Sequence, residues 1–268
     1  MKRSATRARR TPEEEAQGSS PLEAAALRLR EAVRPCVEAP PAAAPYVLNP
    51  LDYAWPLHQA YLRRYGPAAG ASVEAVLVGM NPGPWGMAQT GVPFGSPDLV
   101  RDFLGLAGEV EGPAGCHPKR PILGLQSPRT EVSGQRLWGG IRACFGAPEP
   151  FFRRFFVLND CPLVWQNERG GNVTPDKLDK AYMAPCLEAC DQHLREALLA
   201  LGPRTAIGVG KWAERRLRHV VERFGLEVDV QTILHPSPAS PVANRGWLEQ
   251  ARGQLAALGH PWPAPASE

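Results

Sequence analysis

Four short apolar runs punctuate the chain: Val73–Met80 (VEAVLVGM), Phe155–Asn159 (FFVLN), Thr205–Val209 (TAIGV) and Val228–Leu234 (VDVQTIL). Runs of this length predict strands buried on both faces of a parallel sheet. Between them the apolar positions recur at helical spacing. Leu187, Cys190, Leu194, Ala197 and Leu198 share one helix face that ends at Gly202, and Trp212, Leu217, Val220, Val221 and Phe224 share another that ends at Gly225. An earlier helix is expected to open at Ser20-Pro21-Leu22-Glu23, with Ser20 as N-cap, Pro21 in the first turn and Glu23 closing a capping box. The Pro/Ala stretch at 39–45 reads as a connector. Strands alternating with helices define an open α/β fold, whose ligands bind beyond the carboxyl ends of the strands.

The segments that follow the strands are unusual. Ala75 to Pro97 is 23 residues without a charge, with five glycines and four prolines, and Val230 to Asn244 is another uncharged stretch of 15. Long irregular loops inside a compact domain are usually functional. The second run, Phe155–Asn159, continues into Asp160-Cys161-Pro162 and so places an amide at the same sheet edge.

Composition narrows the classes. Glycine and proline make about a fifth of the chain, short of the share that signals disorder. No run of 18 apolar residues exists, so no transmembrane helix is expected. The start, MKRSATRARR, lacks the apolar stretch of a secretory signal. An intracellular protein without a membrane partner is expected. Of the net charge of +3, residues 1–20 hold +2, so a basic tail precedes a nearly neutral body. Residues 1–18 are charged, polar and aperiodic, and are expected to be disordered; residues 19–263 should form one domain, followed by a short tail, 264–268. Cys36, Cys116, Cys144 and Cys161 are scattered, and only Cys186 and Cys190 lie close together. With no CxxC and no second pair, buried reduced thiols and no metal site are expected.

The loop Gly79–Gly95, GMNPGPWGMAQTGVPFG, resembles the first motif of the uracil-DNA glycosylase superfamily, and in particular of its single-strand-selective monofunctional family. His235-Pro236-Ser237-Pro238, followed by Ala243-Asn244-Arg245-Gly246-Trp247, resembles the second motif. Leu137-Trp138-Gly139, the segment Phe155–Leu163 and Asn172-Val173-Thr174-Pro175 are also similar, so the resemblance covers roughly residues 48–260. It implies a three-layer α/β/α sandwich around a mainly parallel four-stranded sheet. It also implies hydrolysis of the bond between uracil and deoxyribose in DNA, without metal or cofactor.

The implied roles fit the residue types. A base must leave the stack to be reached, so the pocket needs an aromatic face and a polar edge reader. Phe94 matches the stacking residue and Asn159 the edge reader, whose amide can donate to uracil O4 and accept from N3–H. His235 would stabilise the negative charge of the departing base as a hydrogen-bond donor. Asn81 matches the residue that positions the attacking water; an amide cannot take a proton, so it would orient water rather than deprotonate it. No lysine stands in either motif loop to form a Schiff base, which points to a monofunctional enzyme.

Backbone groups of Met80 and Gly83 would lie near the base, and Gly83 with Met87 where thymine is excluded. A glycine there would leave room for water beside C5, making 5-hydroxymethyluracil a second substrate. Trp85 replaces the phenylalanine expected after GMNPGP. Ser237, Ser240 and nearby backbone N–H groups could grip phosphates. Ala239 stands where animal members carry a basic wedge, so weaker action on duplex than on single strands is expected unless Arg245 or another residue substitutes. Lys119, Arg120, Arg153, Arg154, Arg215, Arg216 and Arg218 are further candidates for phosphate contact. The expected partner is DNA with uracil or oxidised pyrimidines, single-stranded or duplex, met by a monomer in a bacterial nucleoid, or in the nucleus if eukaryotic. The alternative is a catalytically weak binding protein for damaged or single-stranded DNA. A Rossmann-type nucleotide enzyme fits poorly, because GMNPG rather than GxGxxG follows the first strand.

Overall fold

The computed structural model describes residues 18–266; the expected tail, apart from Gly18, lies outside the described residues. Among the described residues, seven strands form two sheets. The principal one contains β2 (Ala75–Gly79), β3 (Phe155–Asn159), β6 (Thr205–Val209) and β7 (Asp229–Ile233), in the order β3-β2-β6-β7. All pairings are parallel, with Ala75 opposite both Phe155 and Thr205, and Thr205 opposite Asp229. Every residue of β2, β3 and β6 is buried, as a sheet covered on both faces requires. The first and last apolar runs are trimmed by one or two residues at each end, where ladder pairing stops. The chain leaves β2 toward β3 on one side and reaches β6 and β7 on the other. The switch in direction therefore falls between β2 and β6, where open sheets of this kind form a crevice.

Six helices of eight residues or more surround the sheet: α1 (Pro21–Ala32), α2 (Trp55–Tyr65), α3 (Val132–Phe145), α4 (Lys180–Leu201), α5 (Lys211–Phe224) and α6 (Trp247–Ala257). The capping box of α1 forms as expected: Glu23 N–H donates to Ser20 Oγ at 3.2 Å and Ser20 N–H to Glu23 Oε2 at 3.0 Å. Helix α5 packs on β6 and β7, with α4 beside it and α1 against α4, while α6 packs on β7 and α3. Helices α4 and α5 stop at the residues before Gly202 and Gly225. Among the described residues no helix is long and apolar enough to cross a membrane.

A second sheet, of order β1-β4-β5, was not foreseen. Its strands, β1 (Tyr46–Leu48), β4 (Val164–Gln166) and β5 (Asn172–Val173), are too short to carry a period in the sequence. It anchors the segment just beyond Asn159. The main core is aromatic below the site: Tyr61, Trp138, Phe151, Phe152, Phe155 and Phe156 are in ring contact near the start of β3. Trp262 packs on Phe151 and Phe155, so the fold extends almost to the end of the expected domain.

The six cysteines are free thiols and all but Cys116 are buried, and the fold gathers several of them. Cys161, distant in sequence, meets Cys186 and Cys190 of α4, with Sγ atoms within 4.8 Å of one another, and the Cys36 thiol contacts that of Cys186. Folding brings together what spacing kept apart.

Candidate active site

The parallel register sets the site. Because β2, β3 and β7 run the same way, their carboxyl ends deliver Met80-Asn81, Asn159 and, just past Ile233, His235 to one edge. The ladder between β2 and β3 continues past the strands: Asp160 N–H donates to Gly79 C=O and Cys161 N–H to Met80 C=O, both at 2.9 Å. These bonds hold the Asn81 and Asn159 turns side by side.

Asn159 is 7% exposed, and its Nδ2 donates to Met87 Sδ at 3.2 Å. Its Oδ1 is buried with no protein partner. An unsatisfied buried acceptor costs about 1–3 kcal/mol, a cost that a bound N–H donor removes. The Met87 contact fixes which end of the amide faces the sulfur and which is left for a ligand. Phe94 stands against it with φ +55, the one non-glycine residue at positive φ among the described residues. That backbone costs roughly 1–3 kcal/mol and persists where surroundings over-determine it. Trp138 Nε1 donates to Pro93 C=O at 2.9 Å and Thr90 Oγ1 to Gly95 C=O at 2.9 Å, clamping the turn from both sides.

Gly79 is what lets the two approach. A Cβ there would lie 2.3 Å from Asn159 Oδ1 and 2.5 Å from the Phe94 ring. Gly79→Ala is therefore expected to lose about 1–3 kcal/mol of stability through overpacking. It should also cost more activity than that loss explains if Asn159 and Phe94 hold the base, because they are the side chains displaced. Urea melts beside base-release assays on the folded variant check this; an intact rate would show that the pocket lies elsewhere.

His235 follows β7, with its ring centroid 6.1 Å from that of Phe94. Burial pushes its pKa down to about 4, so at neutral pH the ring is uncharged and can donate one hydrogen bond. Asn81 is half-buried, and its Nδ2 donates to Leu163 C=O at 3.2 Å and, more weakly, to Pro82 C=O at 3.4 Å. These bonds anchor the amide through Nδ2 and fix the direction of Oδ1.

Burial also lowers His58 and His193 to about 4. In the unfolded chain these imidazoles and His235 titrate near 6.5. The unfolded state thus binds more protons between the two values. Their stabilising contribution is complete above about pH 6.5 and is lost as pH falls through about 4. Denaturation midpoints measured at neutral pH and at stepwise lower pH should fall over that window. The single-turnover rate should show no inflection near pH 6.5, because His235 is already neutral there.

Gly83 packs against a side chain that carries no motif signal. A Cβ there would meet the Glu131 carboxylate at 2.4 Å, so the glycine makes room for that side chain. Glu131 accepts Trp85 N–H at 3.0 Å, and burial raises its pKa. Glu131 carried no motif signal, since its role arises only when α3 packs on the loop. Trp85, whose substitution the sequence left unexplained, has the Arg120 and Arg129 guanidiniums at 5.0 and 4.6 Å from its ring centroid.

The loop after β7 is braced. Arg136 of α3 donates to the carbonyls of Pro236 and Ser237 at 3.1 and 3.2 Å and to Asn244 Oδ1 at 2.7 Å. Ser237 Oγ accepts Ala239 N–H at 3.1 Å, and Ser240 Oγ accepts Ala243 N–H at 3.3 Å. Arg245 is exposed, and beside it Val242 is an exposed apolar side chain, 46% accessible, in the same loop as Ala239. Several arginines offered as phosphate contacts have other partners. Arg154 pairs with Glu74 at 2.9 Å, Arg218 with Glu214 at 3.0 Å, and Arg216 with Asp160 and Asp191. Desolvation raises the pKa of buried Asp160 to about 7 although Arg216 opposes it, so this pair braces the turn next to Asn159.

The Asn159 amide, the Phe94 ring and the neutral His235 imidazole thus stand together at one edge of the parallel sheet of an α/β fold. Residues 67–255 match the uracil DNA glycosylase superfamily. The chain is 48% identical over 215 residues to the single-strand selective monofunctional uracil-DNA glycosylase of Rattus norvegicus, covering 80% of this chain and 76% of that protein. The Bos taurus protein of the same name is 48% identical, over 80% of this chain and 77% of its own. The crystal structure of wild-type Pedobacter heparinus SMUG2 shares the fold, with a TM-score of 0.59, 18% identity, and coverage of 86% of this chain and 97% of that one. The chain belongs to the single-strand selective monofunctional family of the uracil-DNA glycosylase superfamily.

Proposed function

We infer that this protein is a monofunctional DNA repair glycosylase: it hydrolyses the N-glycosidic bond of uracil in DNA and leaves an abasic site without cutting the strand. The observation that carries the site assignment is the unpartnered Oδ1 of Asn159, buried beside the Phe94 ring. Uracil N3–H is the donor that this acceptor lacks, and Asn159 Nδ2 can turn from the Met87 sulfur, a weak acceptor, to uracil O4. Cytosine presents the opposite pattern at these two positions and would leave both groups unpaired. As the glycosidic bond lengthens, negative charge gathers on the base and neutral His235 donates to O2. Positive charge gathers on the sugar, and Asn81 Oδ1 orients the water that adds there.

The finer substrate range follows from the pocket wall. Glu131 behind Gly83 makes that side polar, which suits a hydroxymethyl group at C5 and disfavours a methyl. The strand preference follows from the loop after β7. Ala239 gives no long wedge, and Val242 is the apolar side chain there that could fill the gap left by a flipped base, a small one for the task. The Trp85–arginine stack offers a surface for a flexible single strand, through ring stacking and positive charge. The protein would act as a monomer.

The experiment is base release from labelled oligonucleotides carrying one uracil, as single strand and as duplex, read with and without alkali. Alkali-dependent cleavage with a faster single-strand rate is expected. Equal rates would overturn the wedge argument alone. Binding without turnover would favour a damage-binding protein, and cleavage without alkali would contradict the monofunctional reading. The same oligonucleotides with 5-hydroxymethyluracil or thymine test the Gly83 wall: release of the first but not the second is expected.

A further inference from the structure

We propose that the buried thiols of Cys36, Cys161, Cys186 and Cys190 bind one divalent ion of the zinc class, which ties the turn behind Asn159 to helix α4 and the N-terminal segment. Three of the sulfurs, from Cys161, Cys186 and Cys190, already lie within 4.8 Å of one another. The Cys161–Cys186 separation is 3.8 Å. Tetrahedral zinc with Zn–S bonds of about 2.3 Å holds its sulfurs about 3.8 Å apart, so little movement separates the thiol cluster from a ligand shell. Cys36, in the short helix Arg34–Glu38, contacts only the Cys186 thiol and is the ligand that would move to complete four.

The surroundings suit a closed structural site. All four cysteines are at most 3% exposed and sit in one apolar cluster with Leu163, Trp165 and Met183. The Arg216 guanidinium is close enough to Cys190 to offset thiolate charge, although Asp160 and Asp191 share it. Binding would release the thiol protons to solvent and form the metal–sulfur bonds with no change of oxidation state.

Two other chemistries fit less well. A disulfide uses two sulfurs, whereas three here are in mutual reach. An iron–sulfur cluster places its own bulk between its cysteines, which compact sulfurs do not allow without larger displacement. The site would act structurally. Cys161 lies two residues beyond Asn159 and donates its N–H to Met80 C=O, so an ion on its sulfur would stiffen the base-reading turn from behind.

The test uses the full chain, prepared reduced and metal-free and titrated with Zn²⁺ or Co²⁺ alone. One ion per chain retained through dialysis, a visible spectrum of tetrahedral cobalt thiolate that zinc displaces, and a higher Tm with zinc are expected. Cys186→Ser should lose the ion, Cys36→Ala should give it up faster to a chelator, and Cys116→Ser should keep it. The wild-type titration stands even if Cys186→Ser fails to fold. No stoichiometric ion on the reduced chain, iron with inorganic sulfide, a Cys161–Cys186 disulfide by mass spectrometry, or retention by folded Cys186→Ser would each overturn the proposal.

Discussion

Replacing His235 with leucine is expected to lower single-turnover uracil release by about 10²- to 10³-fold while uracil-containing DNA still binds, the scale seen when one preorganised donor to a developing anion is removed. Leucine keeps most of the ring's apolar bulk against Phe94, so the change isolates the hydrogen bond. The donor is neutral because burial holds the imidazole pKa near 4. It therefore needs no proton from solvent at working pH and gives none away. Rapid-quench release from a single-stranded oligonucleotide, with affinity measured on the same DNA, separates the two quantities. A loss confined to affinity, or a rate within about tenfold of the parent, would remove His235 from the chemistry.

Asn81→Ala is the second large effect, about 10²- to 10⁴-fold in rate. The side chain is fixed at one end by its bond to Leu163 C=O, so its oxygen has a defined direction. Alanine removes both the anchor and the acceptor. Asn81→Asp separates them: the carboxylate still accepts from water but sets a negative charge against the Leu163 carbonyl. It is expected to keep part of the rate that alanine loses. If both variants fall equally, the Leu163 anchor rather than the water contact is what the reaction needs. Circular dichroism and urea melts establish that the comparison is between folded proteins.

The strands and two main helices were legible because each carries a period or a saturated apolar run. Phe155–Asn159 and Thr205–Val209 match the structure residue for residue. The edge sheet was not, because two- and three-residue strands have no period to read. Asn81, Asn159 and His235 could be placed at one edge from sequence, since parallel strands bring their ends together. Glu131, Arg136, Trp85 and Val242 depend on how α3 and the loops pack, and no local pattern announces that. The cysteines show the limit most clearly: metal-site rules read spacing, and Cys36 and Cys161 approach Cys186 and Cys190 only through tertiary packing. The arginines show the converse, since basic residues read as free for phosphate are partly engaged in internal pairs.

The Arg136 brace on the loop after β7 has a thermodynamic consequence. Its guanidinium holds the Pro236 and Ser237 carbonyls and the Asn244 side chain in place before any nucleic acid arrives. A loop already ordered loses little conformational freedom on association. Damage search requires many brief encounters with undamaged DNA, and a preformed loop lets each begin and end quickly. Removing the Arg136 side chain would shift that balance: association would slow and carry a larger entropic penalty, while the rate of base release from DNA already bound would be unchanged.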